Sequence, residues 1–130
     1  MVVVDTSVVL SWTFADESDA FAAESATRVM HAGAVVPCTF PAEVANGLFY
    51  AFKRGRISER DVTDALHRIA ALPIRVDSPR LELDEEVRLA QAHDLTIYDA
   101  MYIALALRHR MALLTRDKAL IRAAGAENLS

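Results

Sequence analysis

Asp5, Glu43, Asp99 and Asp117 are the residues of this chain whose type and placement could do chemistry. Each falls where a strand or loop hands over to a helix. In a parallel α/β sheet those handovers gather along one edge, the carboxyl ends of the strands, so acids far apart in sequence meet in one crevice. Two carboxylates held ~4 Å apart repel by about 1 kcal/mol in water and about 4 kcal/mol at the effective dielectric of a protein surface. A cluster of them must therefore take up protons, spread apart or recruit a cation. The donors are all oxygen, and neither a cysteine nor a histidine pair accompanies them. That donor set suits a hard ion, Mg²⁺ or Mn²⁺. Because Mg²⁺ keeps several waters and takes one or two carboxylates directly, Asp5 and Asp99 are the expected direct ligands, with Glu43 and Asp117 acting directly or through water.

Each acid also has an ordinary structural explanation. Asp5 and Asp117 could be helix N-caps, Glu43 could favour a first helical turn, and Thr96-x-x-Asp99 has the form of a capping box. Capping and chemistry are compatible, since a carboxylate at a helix N-terminus is stabilised there and still faces the crevice.

The elements that must position these acids read as alternating strands and helices. Val2-Val3-Val4 is an apolar, β-branched run leading to Asp5, and Val8 to Trp12 winds into a short helix. A helix is predicted from about Glu17 to Ala32, stopped by Gly33, before a buried strand Ala34-Val35-Val36. Pro41 opens a helix that carries Glu43 and runs to Gly55. Ser58 and Asp61 form a capping pair for the next helix, which ends before Pro73. Ile74-Arg75-Val76 is a strand, Leu81 to His93 an amphipathic helix, and Ile97 to about Arg110 a helix apolar on most sides. Met111 to Leu114 gives a strand, Thr115-Arg116-Asp117 a turn, and Lys118 to Ala124 a last helix. This pattern means an α/β fold, a parallel sheet of four to five short strands flanked by helices. Residues 1–130 are expected to form one domain, with only a rudimentary edge strand after Gly125.

The bulk properties narrow the classes. No uncharged run approaches the ~18 residues of a membrane span, and no export signal is visible, so a cytoplasmic protein without membrane contact is expected. Cys38 is the lone cysteine, which excludes an internal disulfide. A net charge of −4 argues against binding nucleic acid by overall attraction. Basic surface is instead local: Lys53, Arg54 and Arg56 near one helix end, and Arg116 beside Asp117.

Val2 to Ser7, Glu43 with Asn46 three positions on, Tyr98 to Ala106, and Leu113 to Asp117 together resemble the signature stretches of the PIN domain, most closely the VapC-type toxins of toxin–antitoxin pairs. The resemblance spans essentially the whole chain. It implies a Mg²⁺- or Mn²⁺-dependent endoribonuclease, usually a homodimer, held inactive by a VapB-type antitoxin. It matches Asp5, Glu43, Asp99 and Asp117 to the acidic quartet, and Asn46 and Thr115 to polar positions that orient the acids. Thr6 could donate to the acids or to phosphate, and Ser7 could do the same or simply start a helix. Arg116, Lys53, Arg54 and Arg56 would guide the RNA backbone. The departure from the family pattern is the short C-terminus.

A phosphoacceptor signalling domain would carry its acidic pair together at the end of the first strand, where Asp5 stands alone. Phosphoaspartyl phosphatases need a second aspartate two positions after the first, where this chain has Ser7. The stronger rival is a non-catalytic PIN-like module that binds an antitoxin or RNA and uses the acids only as caps.

Overall fold

Three consecutive valines begin the sheet because they are buried on both faces. In the computed structural model, which describes residues 1–130, β1 (Val2–Val4) is the inner strand against which the rest assembles. A strand covered by helices on both faces is apolar without alternation, and this one is. It pairs in parallel with β2 (Ala34–Val36), Val3 opposite Val35, and with β4 (Leu113–Leu114), Val3 opposite Leu113. β3 (Ile74–Val76) adds to the outer side of β2, so the order is β3-β2-β1-β4, all parallel. Each fully buried valine contributes about 1.5–3 kcal/mol of apolar transfer.

Seven α-helices connect and cover these strands: α1 (Thr6–Ser11), α2 (Ala20–Ala32), α3 (Phe40–Lys53), α4 (Glu59–Ala70), α5 (Asp84–His93), α6 (Ile97–His109) and α7 (Lys118–Ala126). α6 is the central one. It buries Ala100, Tyr102, Ile103, Ala104, Leu105 and Ala106, lies against β1, and has α5 and α7 as neighbours. Its apolar character, which allowed burial against the sheet or at a subunit interface, is accounted for by the sheet. α1 and α3 approach closely at Gly47, where a Cβ would lie 2.6 Å from Leu10 Cδ1.

Boundaries differ most from the sequence expectations at two helix starts, and by two residues at the start of α1, the start of β4 and the end of α7. The helix predicted from about Glu17 starts at Ala20, because Asp19 accepts the Ala22 amide and caps it there; a separate 3₁₀ turn covers Ala15–Glu17. The helix predicted from Leu81 starts at Asp84, leaving Leu81 fully exposed. The short tail does close the sheet edge with one backbone bond, Leu113 N–H to the Leu129 carbonyl at 2.8 Å.

Candidate active site

In a sheet ordered β3-β2-β1-β4, the chain leaves β1 toward β2 and returns on the opposite side as β4. The crevice between the carboxyl ends of β1 and β4 is thus the topological switch point, the place where open α/β sheets bind ligands. Asp5 follows β1 there and Thr115 follows β4. The Thr115 hydroxyl donates to Asp5 Oδ2 at 2.7 Å, and the Ser7 hydroxyl and Val8 amide donate to Oδ1 at 2.6 and 3.3 Å. Asp5 is 5% exposed, so its carboxylate is buried but met by three donors. Burial pushes its carboxyl above the usual range; the three hydrogen bonds oppose that, and the charge of Asp117 adds to it.

The loop after β4 is tied into the same knot. Thr115 Oγ1 accepts the Asp117 amide at 3.0 Å, Ser7 Oγ accepts the Arg116 amide at 3.1 Å, and Asp117 Oδ1 caps α7 through the Leu120 amide at 3.0 Å. Asp117 is itself exposed.

Glu43 enters from the first turn of α3. Two hydroxyls donate to its Oε1, Tyr102 at 2.9 Å and Thr39 at 3.1 Å, while Oε2 has no donor. Tyr102, 1% exposed, also bonds Thr6 Oγ1 at 3.1 Å and so links α1, α3 and α6. Burial raises the Glu43 carboxyl, against the bonds from Tyr102 and Thr39, and Asp99 raises it further.

Asp99 decides between capping and exposure to the crevice. Thr96 Oγ1 accepts the Asp99 amide at 3.1 Å, but no carboxylate bond returns to the Thr96 amide, so the capping box is half made and the Asp99 carboxylate has only the Thr96 hydroxyl beside it as a donor. Burial raises this carboxyl, the negative charges of Asp117 and Asp5 raise it again, and the Thr96 hydroxyl opposes them. Asp99 therefore feels Asp5, Asp117 and Glu43, and the four acids form one electrostatic unit.

No three carboxylates close into a ready-made metal cage. Like charges without a counter-ion spread apart, and a Mg²⁺ or Mn²⁺ ion that retains water needs only one or two of them directly. The donor chemistry fits such an ion. All four groups are carboxylates, and Asp5 Oδ2 and both oxygens of Asp99 retain acceptor capacity.

The profile of the PIN domain family matches residues 2–126. The chain belongs to the PIN domain family. This PIN domain chain is 35% identical over 119 residues to Ribonuclease VapC1 of Mycobacterium tuberculosis, spanning 82% of this chain and 84% of the relative. It is 35% identical over 80 residues to Ribonuclease VapC3 of Pyrobaculum aerophilum, spanning 60% of this chain and 61% of the relative. The crystal structure of the Pyrobaculum aerophilum protein PAE2754 superposes with a TM-score of 0.73 at 23% identity, covering 93% of this chain and 82% of that one, a likeness of fold.

Other residues singled out from the sequence fall in different places on this PIN domain. Thr6 and Thr115 join the cluster, whereas Asn46 is exposed one turn beyond Glu43 and bonds to none of the acids. The Arg116 side chain turns away to Asp19, with two bonds of 3.0 and 2.9 Å. Arg56 is bound to Asp16 and Glu17, while Lys53 and Arg54 are exposed at the end of α3. Tyr102 and Thr39 are the cluster members that residue types alone did not single out. A tyrosine on an otherwise apolar helix is the available signal, because a buried phenol needs a hydrogen-bond partner.

Proposed function

We propose that this PIN domain chain is a Mg²⁺- or Mn²⁺-dependent endoribonuclease that acts as the toxin of a toxin–antitoxin pair, with residues 1–130 as one catalytic domain. The observation that carries the reading is the Asp99 carboxylate, which caps no backbone amide and shares its crevice with the negative charges of Asp5, Glu43 and Asp117. A module using acids only as caps has no call for this arrangement. Two of the four do cap helices, Asp5 through Val8 and Asp117 through Leu120, and this favours the non-catalytic alternative in part. The carboxylates of Glu43 and Asp99 cap nothing.

Asp5 and Asp99 would hold the cation, with Asp117 at the rim. The ion would supply charge neutralisation at a phosphoryl oxygen and a more acidic water. Glu43 would take the proton of the attacking water at Oε2, the oxygen free of donors, while Tyr102 and Thr39 hold Oε1. Attack in line at phosphorus breaks the bond to the 3′ oxygen, which leaves as an alkoxide and takes a proton from solvent water to become the 3′ hydroxyl; Glu43 returns its proton to solvent, and the other product carries a 5′-phosphate. Single-stranded or looped RNA is the fitting substrate, since it exposes its backbone to such attack. Lys53 and Arg54 would steer the backbone; Arg56 and Arg116 would do so by exchanging their carboxylate partners for phosphates.

The names of the relatives, Ribonuclease VapC1 and Ribonuclease VapC3, support a VapB-type antitoxin as the partner; a homodimer is the assembly that the family resemblance implies. No helix is long and apolar enough to cross a membrane, which is compatible with action in the cytoplasm. The test is incubation of total RNA with partner-free protein in Mn²⁺ or in EDTA, beside Asp5→Asn. Cuts bearing 5′-phosphates that need both metal and Asp5 are expected. Cutting that persists in EDTA, or in the Asp5→Asn protein, would overturn the mechanism.

A further inference from the structure

A second hollow opens on the same sheet edge, at the carboxyl ends of β2 and β3. Its volume is about 450 Å³, within the range of small-ligand sites. It shares a wall with the acidic crevice: Thr39 lines it and bonds Glu43, and Tyr98, which lines it, precedes Asp99. A strand whose phosphate lies at the carboxylates would therefore bring a neighbouring nucleotide to this hollow.

The lining carries a built polar wall. Glu86 is 1% exposed, a charge that burial penalises strongly unless it is paired. It accepts Arg80 Nη2 at 2.7 Å and stands 3.6 Å from Arg108 Nη1, and Arg108 Nη2 donates to Asp77 Oδ2 at 3.3 Å. Both guanidiniums are fixed from behind. Arg80 commits one N–H group to Glu86, leaving its other donors free, and Asp77 Oδ1 has no donor. Two acids and two arginines leave the wall with little net charge, which disfavours a phosphate and favours a neutral group with donors and acceptors side by side. Tyr98, 60% exposed, offers a flat face beside it.

We propose that this hollow is a specificity subsite for one nucleobase, guanine, next to the scissile phosphate. Guanine is the base whose Watson–Crick edge presents N1–H and N2–H donors to a carboxylate, Asp77, while its O6 and N7 accept from arginine, Arg80. Tyr98 supplies the stacking face. Adenine and uracil put a donor or an acceptor in the wrong place, and cytosine lacks the paired donors.

The inference rests on the ribonuclease reading, and its test separates the two. A random single-stranded RNA pool is cut with wild type, Asp77→Asn and Tyr98→Leu in Mn²⁺, and the ends are sequenced. Guanine should be enriched at one fixed position beside the cut, and both Asp77→Asn and Tyr98→Leu should lower that preference, Asp77→Asn by about tenfold, relative to the other bases. Cutting with no base preference there, or a preference that survives Asp77→Asn, overturns the subsite and leaves the ribonuclease standing. If wild type cuts nothing, the ribonuclease reading fails and binding decides the subsite. Titration with the four ribonucleoside monophosphates should then show selective binding of the guanosine form that Asp77→Asn abolishes; equal binding of all four, or none, overturns it.

Discussion

Thr115 donates its hydroxyl to Asp5 Oδ2 at 2.7 Å, joining the ends of β1 and β4 across 110 positions of sequence. Thr115 Oγ1 in turn accepts the Asp117 amide, so one threonine sets the spacing of two acids. Thr115→Val keeps the shape and removes both bonds. A loss of about 1–3 kcal/mol is expected, the usual cost of a buried polar group left unpartnered. Urea unfolding of wild type and variant measures it.

Tyr102→Phe isolates the contribution of one hydroxyl to Glu43. The aromatic packing remains, but Glu43 keeps only Thr39 as donor and Thr6 loses its partner. RNA cleavage should fall about tenfold or more, since misplaced catalytic groups are costly, while stability drops by about 1 kcal/mol. Single-turnover kinetics beside a thermal melt would show the split; equal retention of activity would remove Tyr102 from the mechanism.

Asp5, Glu43 and Asp99 all have raised carboxyl groups in the folded chain, against ordinary values of 3.8, 4.5 and 3.8. The folded state then holds protons that the unfolded state has released. Their favourable share of stability is complete below the ordinary carboxylate range and is lost as pH rises through the raised values. In EDTA, Asp99→Asn should therefore gain stability relative to wild type as pH climbs out of that range and level off at neutral pH. Melting temperatures at a series of pH values test this, and a difference independent of pH would refute it.

A cation that binds only the folded chain should reverse that penalty. Mn²⁺ at about 100 times its dissociation constant stabilises by about 2.7 kcal/mol, and calorimetry should register the shift. The Asp5→Asn, Asp99→Asn double variant should show no shift. As pH falls into the titration range of the raised carboxyls, protons compete and the affinity of wild type should weaken.

Much of this was legible in the sequence because burial on both faces forces an unbroken apolar run. Val2–Val4 and Ala34–Val36 show it, and the helix carrying Asp99 is apolar on most sides for the same reason. Strand ends then located the acids. The helix starts at Ala20 and Asp84 were harder, since Asp19 competes as a cap with earlier acids and Leu81 is apolar yet exposed. Pairings across long separations left no local trace. Arg116 with Asp19, and Arg56 with Asp16 and Glu17, look like free basic surface until the fold brings the acids to them.

The Asp5 amide bonds the Leu114 carbonyl at 3.1 Å, tying the end of the interior strand β1 to the edge strand β4, and its carboxylate starts α1. Opening this crevice locally would mean pulling the end of the interior strand β1 from β4 and unwinding the start of α1 with it, which places the opening toward the costly end of local transitions. Amide exchange at Asp5 and Val8 should be among the slowest in the chain. A site built this way has no internal off-switch, so silencing it must come from something laid over the crevice or from destruction of the whole chain.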